Sequence, residues 1–255
     1  MSNKQPLISV ILPIQNAAEY LEECLVQLLQ QTYSNIEIIA IDDFSGDDSF
    51  KILKKFAKQD KRLHISRNVK RYGMALTLNR CLRQAKGTFI AFMNAKDATH
   101  RDRLNQQFLY LQANEKAVAA GVQCTFVNQE AKAIGVSQFP TENAQMYKKP
   151  LDGVTMLFDN VMIHRHRIPK DLIYFKTNIY PFIYTDIIIK LLKYGELVNL
   201  PQVLYTKRIL TPQKTHIPSM HLPSLAKIWF RAITLYDHKL SLKSLFISPL
   251  LASWK

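Results

Sequence analysis

Four short apolar runs in the first hundred residues alternate with amphipathic stretches, and this alternation limits the possible folds more than any other feature. Leu7 to Leu12, Ile36 to Ile41, Leu63 to Ser66 and Phe89 to Met93 are brief, rich in β-branched or aromatic residues, and bounded by turn formers. Such runs are strands covered on both faces. Between them, Glu19 to Gln31 repeats its leucines at Leu21, Leu25, Leu28 and Leu29, with glutamates in the gaps, and so reads as a helix. Asp47 is positioned to cap a second helix through Ile52, Leu53 and Phe56. Met74 to Ala85 is a third helix, with Gly87 as its expected stop. Strand-helix alternation predicts a mainly parallel, twisted sheet flanked by helices, with a ligand at the carboxyl ends of the strands.

Two of those strand ends are polar. The second exits through Asp42-Asp43-Phe44-Ser45-Gly46 and the fourth through Asn94-Ala95-Lys96-Asp97. Asp42 and Asp43 sit where a turn needs carboxylates, yet the buried strand before them favours a ligand-binding role. No Gly-x-Gly-x-x-Gly follows the first strand and no Gly-x-x-x-x-Gly-Lys-Ser/Thr occurs, which argues against a dinucleotide enzyme or a P-loop NTPase. His64, His100, His164 and His166 have no metal-ligand spacing and are read as surface or core residues.

With 255 residues and 47% apolar content, the chain is able to bury a full core. Cys24, Cys81 and Cys124 are isolated among apolar neighbours, as buried thiols of a reducing compartment would be. No apolar run approaches the roughly 20 residues of a membrane span, and the first residues lack a signal-peptide core. The expected location is cytoplasmic, with the inner face of the plasma membrane as a docking surface. The net charge is +14, and the stretch from Pro201 to Lys255 sets eight basic residues against Asp237 alone. That excess suits a polyanion: anionic lipid, nucleic acid or a phosphorylated substrate.

The blocks now in view resemble family 2 of the inverting nucleotide-sugar glycosyltransferases, which have the GT-A (Rossmann-like) fold. Ile8 to Asn16 is similar to the opening strand, where Pro-x-Tyr-Asn is usual and Gln15 replaces the tyrosine. Gln31-Thr32 through Ile39, then Asp42-Asp43-Phe44-Ser45, resembles the block ending in Asp-Asp-Gly-Ser, with Phe44 for glycine. Gly73, Asn79, Ala85-Lys86-Gly87, Arg103 and Leu104 continue the match, and Tyr184-Thr185-Asp186 through Leu204 is similar to the base-bearing segment. The resemblance covers residues 7 to 208 and implies a GT-A-like domain over 1–208, with a basic helical region over 209–255.

It also implies roles. Pro13, Asn16, Asp42, Asp43 and Ser45 would hold the nucleoside of a nucleotide-sugar donor, a uridine-diphosphate sugar being favoured. Asp186 would be the catalytic base acting on a saccharide or lipid-linked acceptor. The Asp-x-Asp-Asp that carries Mg²⁺ or Mn²⁺ in most members reads Asn94-Ala95-Lys96-Asp97, which leaves Asp97 as the surviving metal candidate. Lys96, helped by Arg71, is able to neutralise a departing diphosphate in the ion's place; equally, its ammonium repels the ion.

From Ser224 to Lys239, Leu225, Ile228, Trp229, Ala232 and Tyr236 form one helical stripe. It would lie either in a membrane interface or against the catalytic domain. The leading reading is sugar transfer with inversion in envelope polysaccharide or glycolipid synthesis. A non-catalytic partner subunit and a polyanion- or membrane-binding protein stay open as alternatives, with nucleic acid ranked last among partners.

Overall fold

The computed structural model describes residues 5–148, 154–210 and 222–236. Strand β1 (Ile8–Ile14) and strand β2 (Ile36–Asp42) are buried at every position, as their apolar sequences require. They pair in parallel from Ile8–Ile36 to Ile14–Asp42. Strand β3 (Leu63–Arg67) lies parallel outside β2, and β4 (Phe89–Phe92) lies parallel on the other side of β1. Three helices cover this half: α1 (Ala18–Leu29), α2 (Ser49–Ala57) and α3 (Met74–Gln84).

Period-two alternation assigns each strand residue to one of two cores. Val10, Leu12, Ile38 and Ala40 meet Leu21, Leu25 and Leu53 beneath α1 and α2. Ile11, Ile39, Ile41 and Phe92 meet Ala75, Leu78 and Cys81 beneath α3. All three cysteines are buried and unpaired.

The second half of the sheet is mixed. A two-residue β5 (Ala98–Thr99) and helix α4 (Arg103–Ala113) lead into β6 (Ala117–Val127), β7 (Ala133–Val136) and helix α5 (Asn143–Lys148). Strand β8 (Met162–His164), helix α6 (Ile183–Leu191), strand β9 (Glu196–Arg208) and helix α7 (Leu222–Tyr236) follow. The order is β3-β2-β1-β4-β8-β6-β9-β5, with β7 paired to β6. The ladders of β8 with β4 and β6, and of β5 with β9, are antiparallel, while β9 runs parallel to β6. The expected parallel sheet is thus the first half. The pairing of β6 and β9 shifts register where Leu200 faces Val122 and Val203 faces Gln123, which accommodates Pro201 in a bulge.

Two capping expectations meet different fates. Asp47 Oδ1 accepts the Ser49 N–H, at 3.0 Å, from one residue before the N-cap, which is Asp48 and makes no side-chain capping bond of its own. Gly87 is required for another reason than a helix stop: a Cβ there would lie 2.7 Å from Leu7 O and from the Ser9 N and Oγ, so the chain passes too close to β1 for any side chain. On α7, Ile228 and Ala232 are buried in the same core as Phe182, Ile183 and Ile187. The apolar stripe therefore packs on the domain, while Phe230 at 66% exposure and Ile233 face outward. The side chains of Leu225 and Tyr236, and residues 237–255, lie outside the described residues. Among the described residues no helix is long and apolar enough to cross a membrane.

Candidate active site

The chain leaves β1 toward β2 and β3 on one side, then returns to β4 on the other, so β1 and β4 border a topological switch point. The two polar exits are brought to that same end of the sheet. Asp43 N donates to Ile14 O at 2.7 Å, and Met93 N donates to Ile11 O at 3.1 Å, placing both clusters beside Pro13 to Ala17. A groove there is bordered by Pro13, Leu78, Met93, Asn94, Asp159 and Tyr184. Its enclosed space is about 10 Å³, so a ligand would lie along its mouth rather than inside it.

On the β2 side the carboxylates organise backbone. Asp43, buried, accepts the Asn68 Nδ2 at 2.7 Å, the Tyr72 N–H at 2.8 Å and the Gly73 N–H at 2.7 Å, which wraps residues 68 to 73 around it. Asp42 Oδ2 meets Arg67 Nε at 3.0 Å and the Ser45 N–H at 3.1 Å, whereas its buried Oδ1 has no hydrogen-bond partner. Asn16 and Ser45 clasp the two loops together: Asn16 N donates to Ser45 Oγ, and Gly46 N to Asn16 Oδ1, each at 3.0 Å. Phe44, standing at the glycine position of the motif, has φ 58° and its side chain is 52% exposed, with Arg67 5.3 Å above its ring. Arg71 crosses to the β1 loop, where its Nη2 donates to Gln15 Oε1 at 3.0 Å.

The β4 side is held from within. Asn94 Oδ1 accepts the Lys96 N–H at 3.0 Å. Asp97, 1% exposed, receives the Tyr205 hydroxyl at 2.7 Å, Lys207 Nζ at 3.0 Å and the Arg208 N–H at 3.0 Å. The same ammonium reaches Asp159 Oδ2 at 2.7 Å. Burial pushes Asp97 above the usual carboxylate range, opposed by Lys207. Burial pulls Lys207 down, but Asp159 and Asp97 outweigh it and hold the ammonium above the usual lysine range. Arg103, fully buried, donates to Thr99 Oγ1, Phe92 O and Asn160 O, and so fixes the end of β4 against the turn that carries Asp159.

This donor set does not fit a divalent ion. Mg²⁺ or Mn²⁺ requires several oxygens pointing at one centre. Here the Asn94 carbonyl is turned to backbone, three donors fill Asp97, and Lys207 already stands between the two carboxylates. Among the described residues no three His, Cys, Asp or Glu side chains converge as ligands.

Asp186 is in α6 and 2% exposed, with Lys190 Nζ 2.6 Å and Arg231 Nη1 2.8 Å from its oxygens. It does not border the groove; Tyr184 does, its ring stacked on Phe158 at 4.8 Å. Residues two apart on a helix point about 200° apart, so Tyr184 and Asp186 cannot both face the groove. Tyr184 and Asp159 are the groove residues that sequence reasoning missed, with the buried Lys207 behind Asp159. Tyr184 lay within the segment already singled out, whereas Asp159 carried no motif.

A switch-point crevice between polar strand ends defines an open α/β protein of the kind that binds nucleotides or their sugars. The profile of glycosyl transferase family 2 matches residues 9–169, and the chain belongs to that family. It is 34% identical over 111 residues to TuaG of Bacillus subtilis, a glycosyltransferase provisionally assigned to teichuronic acid biosynthesis, covering 44% of each chain. It is 39% identical over 110 residues to the glycosyltransferase GlyG of Streptococcus pneumoniae, covering 43% of this chain and 36% of GlyG. The chain thus spans less than half the length of these relatives. Among solved structures, S. aureus TarS (residues 1–349) in complex with UDP-GlcNAc superposes with a TM-score of 0.74 at 18% identity, covering 96% of this chain and 71% of that one. The mannosyltransferase PcManGT of Pyrobaculum calidifontis, bound to GDP-Man and Mn²⁺, gives 0.65 at 18% identity, covering 98% and 69%.

Proposed function

We propose that this protein transfers a sugar, with inversion, from a nucleotide-sugar donor to a saccharide or lipid-linked acceptor in envelope polysaccharide or glycolipid synthesis. The observation that carries the reading is the meeting of Pro13, Asp42-Asp43 and Asn94 to Asp97 at one end of a family 2 sheet. TarS, of the same fold, binds UDP-GlcNAc and UDP, which favours a uridine-diphosphate sugar as donor. The backbone near Pro13 and the loop that begins at Asp42 receive the nucleoside, with Asp42, Asp43, Asn16 and Ser45 holding the loops in shape. Lys96 and Arg71 bring positive charge to the leaving diphosphate in the absence of fitting metal ligands.

Attack by an acceptor hydroxyl needs a base within hydrogen-bond reach. Asp159 is the carboxylate that borders the groove. Asp186, singled out by the family resemblance, serves only if it leaves both Lys190 and Arg231. Calorimetry with nucleotide diphosphates and nucleotide-sugars, followed by a transfer and hydrolysis assay over the donors that bind, tests the reading. Absence of any nucleotide binding would overturn it. A partner subunit that binds donor without transferring it is the second reading, favoured by the neutralisation of Asp97 and Asp159 by Lys207. Uridine diphosphate binding with no turnover on a broad panel would select it. For the basic C-terminal region, charge favours an anionic membrane surface as partner, testable by sedimentation with anionic vesicles.

A further inference from the structure

Away from the groove, a cavity of about 730 Å³ opens between α3, residues 170–176, α6 and α7. Its wall carries six cationic side chains: Arg83, Arg165, Lys170, Lys176, Lys190 and Arg231. Asp171 is the only carboxylate on that wall among the described residues, and Asp186 lies behind Lys190 and Arg231. Six cations against two carboxylates leave a formal excess of four. Arg83, Lys170 and Lys176 make no ion pair among the described residues, and Arg83 and Lys170 are exposed. Like charges gathered without counterions raise the energy of the free protein, and an anion in their midst removes that penalty.

The lining also specifies what kind of anion. Arg231 is paired with Asp186 and Arg165 gives Nη1 to Ala85 O at 2.7 Å, so among the described residues Arg83 is the guanidinium that keeps its whole planar fork for phosphate oxygens, beside Lys170 and Lys176. Leu82, Leu172, Ile173 and Tyr174 supply an apolar surface beside them, which a bare inorganic anion would leave unused. The volume is that of a site for a small organic molecule. The groove and the cavity share α6: Tyr184 borders one and Lys190 the other, six residues or about 9 Å along the helix.

We propose that this cavity is a second binding site, separate from the nucleotide groove, for a diphosphate ester carried on an apolar chain. Diphosphate oxygens lie among Arg83, Arg165, Lys170 and Lys176, and the chain runs over Leu172 and Ile173. The site stands on its own lining and does not depend on whether the groove performs transfer.

The test is calorimetric titration of the full chain with geranyl diphosphate, inorganic pyrophosphate and uridine diphosphate, and sedimentation with phosphatidylglycerol vesicles. Geranyl diphosphate is expected to bind at least about tenfold more tightly than pyrophosphate, and to do so equally well when uridine diphosphate saturates the groove. The double variant Arg83→Glu, Lys170→Glu is expected to lose about tenfold or more in geranyl diphosphate affinity while keeping its uridine diphosphate affinity. Lys176→Gln, a milder change, is expected to weaken the same ligand should the double variant fold poorly. Equal affinity for pyrophosphate and geranyl diphosphate would remove the apolar part of the proposal. Displacement by uridine diphosphate, or unchanged binding in the charge variants, would overturn the site. Vesicle binding that survives Arg83→Glu, Lys170→Glu, with no binding of the soluble diphosphate, would assign the charge to a membrane surface instead.

Discussion

Lys207 Nζ lies 2.7 Å from Oδ2 of Asp159, the carboxylate that borders the groove. It is 3.0 Å from the buried Asp97 as well, so one ammonium serves a buried and a part-buried carboxylate. Lys207→Met is expected to cost about 3–5 kcal/mol near neutral pH, because it leaves those carboxylates unpaired. Burial already raises the folded-state pKa of Asp97 above its unfolded value. Protonating it therefore favours the folded form, and the deficit of Lys207→Met should shrink as pH falls through that raised pKa. Urea midpoints of both proteins at pH 5 and pH 8 measure this. A deficit independent of pH would show that Lys207 acts by packing alone.

Binding of uridine diphosphate is expected to be insensitive to EDTA, since the residues at the exit of β4 do not fit a divalent ion. Lys96→Asp should make binding respond to Mn²⁺ by adding an oxygen ligand and removing a repelling charge. Calorimetry with and without the ion decides it, and strong Mn²⁺ dependence in the unaltered chain would contradict the charge argument.

Two carboxylates compete for the role of base, and paired variants separate them. Asp159→Asn is expected to lower turnover by about a hundredfold or more with donor affinity nearly kept. Asp186→Asn should instead lower stability by about 3 kcal/mol, because Lys190 and Arg231 lose their shared partner. Thermal unfolding beside a transfer assay gives both readouts. If Asp186→Asn abolished turnover at an unchanged melting temperature, Asp186 would be the base after all.

Phe44 holds a left-handed backbone with φ 58°. Phe44→Gly and Phe44→Ala both remove the ring and its contact with Arg67, so the difference between them isolates the backbone. Glycine should be the more stable of the two by about 1 kcal/mol, since alanine keeps a Cβ that this conformation crowds. Denaturant unfolding of the pair reads the difference directly.

The half of the fold nearest the groove was legible because β1, β2 and β4 are covered on both faces, and only unbroken apolar runs satisfy that demand. The second half was not, for a strand as short as β8, three residues from Met162 to His164, offers no periodicity to detect. That Asp42-Asp43 and Asn94 to Asp97 leave the sheet at the same end followed from strand order alone. The orientation of α6 did not. A segment match identifies the helix, but a shift of two residues exchanges the groove face for the core face, which is the difference between Tyr184 and Asp186. Asp159 comes from a turn held by residues distant in the chain, among them Arg103, Gln107, Val122 and Lys207, and such contacts leave no local pattern. On α7, spacing identified Ile228 and Ala232 as part of an apolar stripe without deciding between a membrane interface and the domain.

The ion triad of Asp186, Lys190 and Arg231 bears on where the protein is divided in the laboratory. Arg231 and the buried Ile228 and Ala232 come from α7, while their partners come from α6. A truncation after Arg208 strips one guanidinium from a buried carboxylate and opens the hydrophobic layer around Ile187. The C-terminal helix and the sheet should therefore unfold in one cooperative transition, and an expression boundary drawn between them severs a shared core.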